Sequence, residues 1–281
     1  MKVFIQSNKF QNTAAQVSKY SFEKFGYKCE IISFEDFPIL KDCIGRTYLR
    51  KGEQKVFRDD LQSFTLLRFL IPTLVNQYDK ILIIDPDIFA LKSLNELDKL
   101  TSEEDKIYCT FYNQVPRSEM MVGIAKNFNL EFNQILKDLF DLKIDYNDLM
   151  SLDFYNNSEI GIIPNNFNEH DSINSNTFML HTTKRITQPW KNGLDIDFER
   201  HNGIKVKLIN YIKKFLFLKY NPEFISEKYI FHKNKDVYHF ILNLFVESIK
   251  NNYLNIKQIE ESVDNKFIGK IFYKQILDKI S

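Results

Sequence analysis

The strongest constraint on the fold is a run of four branched aliphatic residues, ILII at positions 81–84, that ends on Asp85-Pro86-Asp87. A continuous apolar run of this length is typical of a strand that is buried on both faces, as in a parallel sheet covered by helices. Ligands of such sheets lie beyond the carboxyl ends of the strands. Because residues i and i+2 of an extended segment point the same way, Asp85 and Asp87 are expected to face one ligand.

The patterns on either side of this strand predict an α/β fold. The chain opens with two short apolar runs separated by a helical pattern, which is the start of a β-α-β unit. A second helical pattern covers residues 65–77, where Pro72 must kink or split the helix. Further strands are predicted at residues 107–111, 119–124, 159–163 and 177–181. Long helical patterns then dominate, so we predict an α/β domain over residues 1–200 and a helical C-terminal extension over residues 201–281.

Composition excludes some classes of function. The 38 basic and 37 acidic residues leave a net charge of +1, which argues against a nucleic-acid binder. Cys29, Cys43 and Cys109 are scattered and lack metal-ligand spacing, as free thiols of a reducing compartment do. The apolar run at the start is too short for a signal peptide, and no stretch is long enough to span a bilayer. We therefore expect a cytoplasmic protein.

The two neighbouring carboxylates need a positive partner, because each raises the pKa of the other when nothing neutralises them. A divalent cation is the natural partner, and Mg²⁺ or Mn²⁺ prefers oxygen ligands shared between carboxylates and phosphate. An Asp-x-Asp pair alone is also compatible with a solvated strand end at which aspartate caps a turn.

The context of the pair is more specific. Residues 66–97, LLRFLIPTLVNQYDKILIIDPDIFALKSLNEL, resemble the GT-A nucleotide-sugar transferases, in particular glycosyltransferase family 8 and its bacterial relatives. That family carries an Arg in a helix, a Pro at the helix end, a Tyr-Asp-Lys turn, an apolar strand and Asp-x-Asp. The matching residues here are Arg68, Pro72, the turn at 78–80, and Asp85 with Asp87. The resemblance implies a GT-A fold, with a Rossmann-like, mostly parallel sheet flanked by helices.

A second similarity lies in residues 179–198, MLHTTKRITQPWKNGLDIDF. The family has a His after a short strand and then Pro-Trp, which correspond to His181 and Trp190 with its preceding proline. The resemblance implies that His181 completes a metal site with Asp85 and Asp87. The Gly-x-x-Lys segment of the family is absent, so Lys184 and Arg185 are the expected substitutes that meet the diphosphate.

The resemblance also implies roles for residues elsewhere in the chain. Gln6 and Ser7, at the end of the first strand, would contact the base and ribose. Arg68 would contact the nucleotide or brace the aspartate pair. Asp145 or Asp148, in DYNDLM, would orient the donor sugar or stabilise the transition state. The residues expected near the sugars are Asn168 and Trp190.

Together these residues predict a metal-dependent hexosyltransferase with Mn²⁺ or Mg²⁺ as cofactor. Its donor would be a nucleoside diphosphate sugar, with UDP the base implied by the resemblance. The acceptor would be a saccharide or a lipid-linked saccharide of surface polysaccharide biosynthesis. Enzymes of family 8 retain the anomeric configuration.

Each of these residues also has a purely structural interpretation. His181 is then a partly buried, hydrogen-bonded histidine, and Arg68 is an ion-pair partner of Asp59 or Asp60. Trp190 belongs to the core, whereas the remaining residues are solvated charges or turn residues: Lys184, Arg185, Asp145 and Asp148.

Two other classes of function stay open at this point. Haloacid-dehalogenase phosphatases also have a strand that ends in Asp-x-Asp, but near the N-terminus and usually followed by Thr. A non-catalytic nucleotide-sugar or glycan-binding module would keep the fold and lose the chemistry, and metal-dependent hydrolysis of the donor would distinguish it from an enzyme.

The lysine-rich apolar segment KVKLINYIKKFLFLKY (residues 205–220) is compatible with two environments. It either lies on a membrane surface, which would place the protein at the inner membrane, or packs as a helix on its own domain.

Overall fold

The computed structural model describes residues 1–103, 105–129, 131–198 and 204–281. The strands are β1 (Lys2–Ser7), β2 (Cys29–Ser33), β3 (Thr47–Arg50), β4 (Glu53–Val56), β5 (Lys80–Ile84), β6 (Ile88–Ala90), β7 (Ile107–Tyr112), β8 (Val115–Ile124), β9 (Ile160–Ile163), β10 (Glu169–His170) and β11 (Met179–His181). The helices are α1 (Asn12–Glu23), α2 (Pro38–Lys41), α3 (Leu67–Leu70), α4 (Asn95–Leu100), α5 (Phe132–Phe140), α6 (Tyr146–Met150), α7 (Ile204–Phe215), α8 (Lys235–Lys250), α9 (Ile256–Asp264) and α10 (Lys270–Ile280).

The chain forms two compact units, Met1–His181 and Thr182–Ser281. The first contains all the strands named above, and the second contains helices α7 to α10. The boundary predicted at residue 200 lies outside the described residues. No described helix has both the length and the apolar composition needed to cross a bilayer.

The central sheet of the first unit has six strands in the order β2-β1-β5-β8-β7-β9. Strand β1 is parallel to β2 and β5, and β9 is parallel to β7, whereas β8 runs antiparallel to both of its neighbours. Three of the five pairings are therefore parallel. The predicted α/β class, with a mixed and mostly parallel sheet, is confirmed.

Strand β5 lies inside the sheet and is buried on both faces. Residues 81–84 are all 0% exposed. Ile81 and Ile83 pack into one apolar cluster of the unit, whereas Leu82 and Ile84 pack into another. Because alternate side chains of a strand point to opposite faces, a strand covered on both sides needs a continuous apolar run. Burial on both faces thus explains the continuous apolar run at residues 81–84.

The helical pattern over residues 65–77 is broken into short pieces. A 3₁₀ turn, Ser63–Leu66, leads into α3, and a second 3₁₀ turn, Ile71–Leu74, follows it. Pro72 lies in the second turn, where its missing N–H and its ring prevent the α-helix from continuing. The predicted split is therefore observed, and it leaves Arg68 on a single buried helical turn.

A second, three-stranded sheet has the order β10-β11-β6. Strand β6 begins directly after Asp87 and pairs antiparallel with β11, so that Ile88 lies opposite His181. Strand β10 pairs parallel with β11 and places His170 beside His181. This small sheet therefore brings two distant segments of the first unit to the carboxyl end of β5.

In the second unit, α8 and α10 pack on the turn Pro189–Lys191. The Trp190 ring is 2% exposed, and its centroid lies 6.3 Å from that of Phe245. The Gly269 N–H donates to the Trp190 carbonyl at 2.7 Å. A Cβ atom at Gly269 would lie 2.1 Å from the backbone oxygen of Asn192, so only glycine fits there.

We expect Leu82→Ala to lower the free energy of unfolding by about 2–5 kcal/mol, because the change leaves a cavity in a strand without an exposed face. Ile162→Ala is the matched control in the same sheet: Ile162 is 68% exposed, and its loss should cost about 0.5 kcal/mol or less. Urea unfolding followed by far-UV circular dichroism measures both. Equal midpoints for the two variants would contradict the double burial of β5.

Candidate active site

Asp85 lies at the carboxyl end of β5 and is held by two side chains. Arg68 Nη2 donates to Asp85 Oδ1 at 2.8 Å, and Gln6 Nε2, from the end of β1, donates to the same oxygen. The side chain of Arg68 is 4% exposed and that of Asp85 is 16% exposed. A buried ion pair of this kind is held by its geometry, because a buried charge without its partner is costly. Gln6 and Arg68 thus fix the direction of the first aspartate.

The second terminal nitrogen of the Arg68 guanidinium group is held as well. Its Nη1 donates to Ser118 Oγ at 2.8 Å, and Ser118 Oγ donates to the Met150 carbonyl at 2.9 Å. The ion pair with Asp85 replaces the expected alternative of Asp59 or Asp60, and Asp59 pairs with Lys9. Arg68 is therefore placed where it can brace Asp85, and its contact with a nucleotide stays a prediction.

The second aspartate and a histidine complete a group of ligands. Nε2 of His181 lies 3.4 Å from Oδ1 of Asp87. One ligand atom each from Asp85, Asp87 and His181 can be chosen so that all three lie within 4.8 Å of one another. Two carboxylates and an imidazole form a donor set that fits a divalent cation such as Mn²⁺ or Mg²⁺. These three residues are the ones predicted as metal ligands.

Asn168 sets the orientation of the His181 ring. Its Nδ2 lies 3.4 Å from Oε1 of Glu119 and 3.3 Å from Oγ1 of Thr110, and its Oδ1 lies 3.1 Å from Nδ1 of His181. A carboxylate only accepts, so the amide nitrogen of Asn168 points to Glu119 and its oxygen to the ring. Nδ1 of His181 therefore carries a proton, and Nε2 is the nitrogen that faces Asp87.

Glu119 is a site residue that the sequence analysis missed. Its Oε1 lies 3.2 Å from Nε2 of His170, and its Oε2 accepts hydrogen bonds from Arg117 Nε at 3.2 Å and Nη2 at 3.1 Å. Glu119, His170 and His181 form a second group whose ligand atoms lie within 4.8 Å of one another. The only signal in the sequence was a carboxylate at the start of the apolar run EMMVGI, next to β5 in the sheet.

Burial and neighbouring charges together shift the pKa values of three residues in this cluster. Burial raises the pKa of Asp85 to about 6, against the opposing charges of Arg68 and His181. Burial would lower the pKa of His181, but the carboxylates of Asp87, Glu119 and Asp85 outweigh it and raise the value to about 9. Burial also disfavours the ionised form of Glu119, yet the hydrogen bond to His170 and the charge of His181 hold its pKa well below the usual range. The carboxylates thus favour a positive charge at the position of His181.

The predicted catalytic carboxylates Asp145 and Asp148 have structural contacts in α6. Asp145 accepts hydrogen bonds from the N–H groups of Asn147 and Gly52, both at 2.8 Å, and Asp148 accepts the Asp145 N–H at 3.2 Å. This is a capping box that satisfies the first N–H groups of the helix and ties it to the β3–β4 hairpin. Neither residue belongs to the two ligand groups above, and their catalytic role stays a prediction.

The remaining predicted residues divide between the two units. Ser7 is buried at the end of β1, where its hydroxyl lies 3.3 Å from the carbonyl of Asn8. Lys184, Arg185 and Trp190 belong to the second unit, in which Lys184 is exposed and Arg185 lies over the ring of Phe198 at 5.8 Å. Trp190 packs against the helices of its own unit, which leaves its ring almost no exposed surface, and its contact with sugars stays a prediction.

Two aspartates at the end of a central strand lie beside an imidazole from a distant strand over this mixed α/β sheet, which is the arrangement expected from the resemblance to GT-A glycosyltransferases. The family model described as Glycosyl transferase family 8 matches residues 1–146, just over half of the 281 residues. The chain belongs to this family and is a glycosyltransferase. The matched range contains Arg68, Asp85 and Asp87 and ends before His181.

Several solved glycosyltransferase structures are similar to the chain. LgtC in complex with donor and acceptor sugar analogs is 10% identical, with a TM-score of 0.45, and the match covers 68% of this chain and 89% of LgtC. Apo GlyE of Streptococcus pneumoniae TIGR4 is 15% identical, with a TM-score of 0.45 and coverage of 78% and 64%. Mouse xyloside xylosyltransferase 1 is 9% identical, with a TM-score of 0.40 and coverage of 64% and 96%. No curated protein matches the sequence.

We expect Asn168→Ala to weaken Mn²⁺ binding about 10- to 100-fold, because the ring of His181 loses the partner that orients it. Asn165→Ala, an exposed position in the same loop, is the matched control and should bind Mn²⁺ as the parent protein does. Isothermal titration calorimetry with Mn²⁺ alone measures both affinities, after far-UV circular dichroism has confirmed folding. Unchanged affinity in a folded Asn168→Ala variant would contradict the positioning role.

Proposed function

We propose that this glycosyltransferase transfers a sugar from a nucleoside diphosphate donor, in particular a UDP-sugar, to a saccharide or lipid-linked acceptor, and that it depends on Mn²⁺ or Mg²⁺. The single observation that carries the proposal is the group formed by Asp85, Asp87 and His181, whose ligand atoms lie within 4.8 Å of one another. Oxygen ligands suit both ions, and the imidazole favours Mn²⁺.

When bound, the cation would neutralise the negative charge that develops on the diphosphate as its bond to the sugar breaks. The protein's contribution is to hold the ligands in place before the donor arrives. Arg68 and Gln6 fix Asp85, and Asn168 fixes the ring of His181. Groups that are oriented in advance need no reorganisation during the reaction, which is the largest advantage that a polar site offers.

Other residues have proposed roles that follow from the family resemblance. Lys184 and Arg185 supply fixed positive charge for the diphosphate. Gln6 and Ser7, at the end of β1, meet the base and ribose. Asp145 or Asp148 orients the donor sugar, a role that would have to coexist with the capping contacts of these carboxylates.

The test is a thermal-shift measurement with UDP, with and without Mn²⁺. A ligand at about 100 times its dissociation constant stabilises a folded protein by about 2.7 kcal/mol, which raises Tm by several degrees. We expect this shift only when both UDP and Mn²⁺ are present. Asp87→Asn should abolish it, because the variant loses one anionic ligand while keeping the shape of the side chain.

Asp42→Asn, at an exposed position of the first unit, is the matched control and should keep the full shift. An equal shift without metal would refute the metal dependence, and the absence of a shift with any nucleoside diphosphate would refute the donor class. Release of UDP from a UDP-sugar by the parent protein, but not by Asp87→Asn, distinguishes the enzyme from a module that only binds the donor.

A further inference from the structure

Helix α7 carries an apolar stripe that no described residue covers. Leu208, Tyr211, Ile212 and Phe215 follow the i, i+3, i+4, i+7 spacing that places side chains on one face of a helix. Their exposed fractions are 57%, 40%, 49% and 81%. A helix that packed on its own domain would bury such a stripe. Of the side chains described in α7, only that of Asn210 is buried, and it accepts the N–H of Asn221 at 2.9 Å.

The apolar surface continues beyond the last turn of the helix. Leu216, Phe217 and Leu218 are 55%, 99% and 56% exposed. Phe217 has a φ of 56°, a left-handed conformation that is unusual for an aromatic residue. Isolated exposed apolar residues are ordinary, but a continuous patch of this kind marks an interaction surface.

The charges next to the stripe all have one sign. Residues 201–222 contain no Asp or Glu. The exposed lysines of the same segment are Lys207, Lys213, Lys214 and Lys219. Lys207 and Lys214 are seven residues apart and lie together along one flank of the stripe. The first acidic residue that follows is Glu223, which pairs with Lys233 at 2.7 Å. The partner of this segment should therefore offer both an apolar region and negatively charged groups.

We infer that residues 206–219 dock on the surface of an anionic phospholipid bilayer. The stripe of α7 and Phe217 would enter the boundary between headgroups and acyl chains, and the lysine stems would extend along it so that their ammonium groups meet lipid phosphates. Helix α7 has 12 residues and is about 18 Å long, too short to cross the bilayer, so it lies in the plane of the surface.

A second copy of the chain fits this surface less well. A two-fold dimer through the stripe would bring two sets of lysines together, and the segment offers no carboxylate to pair with them. An anionic bilayer satisfies the apolar stripe and the lysines at the same time. This inference does not depend on the identity of the donor or on the metal site.

The test is flotation of the full chain with vesicles of phosphatidylcholine alone and of phosphatidylcholine mixed with phosphatidylglycerol. We expect binding to the anionic vesicles only. The double variant Phe215→Ser, Phe217→Ser should reduce binding about tenfold or more, because two large apolar groups no longer enter the bilayer. Lys213→Gln with Lys214→Gln should reduce it by a similar factor, and added salt should reproduce that loss.

The controls are Tyr78→Ser, which removes an aromatic side chain that is 70% exposed on the first unit, and Lys257→Gln, which removes a charge outside the segment. Both should bind as the parent chain does. Thermal unfolding checks that the exposed substitutions leave the fold intact. Equal binding by the Phe215/Phe217 double variant, or equal binding to neutral vesicles, overturns the inference. Self-association that this variant abolishes, without any vesicle binding, would overturn it in favour of a second copy.

Discussion

The candidate site depends on the pairing of two short strands, β6 and β11. Their antiparallel register places Ile88 opposite His181, and Ile88 directly follows Asp87. Because successive side chains of a strand point to opposite faces, a shift of one residue would turn the imidazole away from the aspartates. The three residue pairs between β6 and β11 therefore place residue 88 next to residue 181, although the two lie far apart in the sequence.

The interactions between charged groups in the site are strong because its side chains are largely buried from solvent. Asp85 and His181 are both largely buried, and each is held by a second residue: Arg68 for the aspartate and Asn168 for the imidazole. Burial raises the energy of every charge that stays unpaired, so these contacts hold Asp85 and the ring of His181 in place. The same contacts limit how far the ligands can move, which is what a site for a small, geometrically demanding ion requires.

The parts of the fold and site that the sequence predicted are those set by local patterns. The double burial of β5, the strand-end aspartates and the break at Pro72 all follow from the residue types of one segment. The placement of His181 came from the family resemblance. Glu119 and the amide of Asn168 act through partners on other strands, which no local pattern encodes. The capping of α6 by Asp145 and Asp148 follows a short-range signature, whereas their catalytic role stays a prediction. The burial of Trp190 depends on the packing of α8 and α10 on its turn, which is a tertiary property that no local pattern encodes.

The burial of Trp190 has a consequence for spectroscopy. It is the only tryptophan of the chain and lies in the core of the second unit, against Phe245. Indole emission therefore reports the surroundings of that unit alone, whereas circular dichroism averages over the secondary structure of both. Comparing the two signals during denaturation reveals whether the first and second units unfold in one cooperative transition or separately.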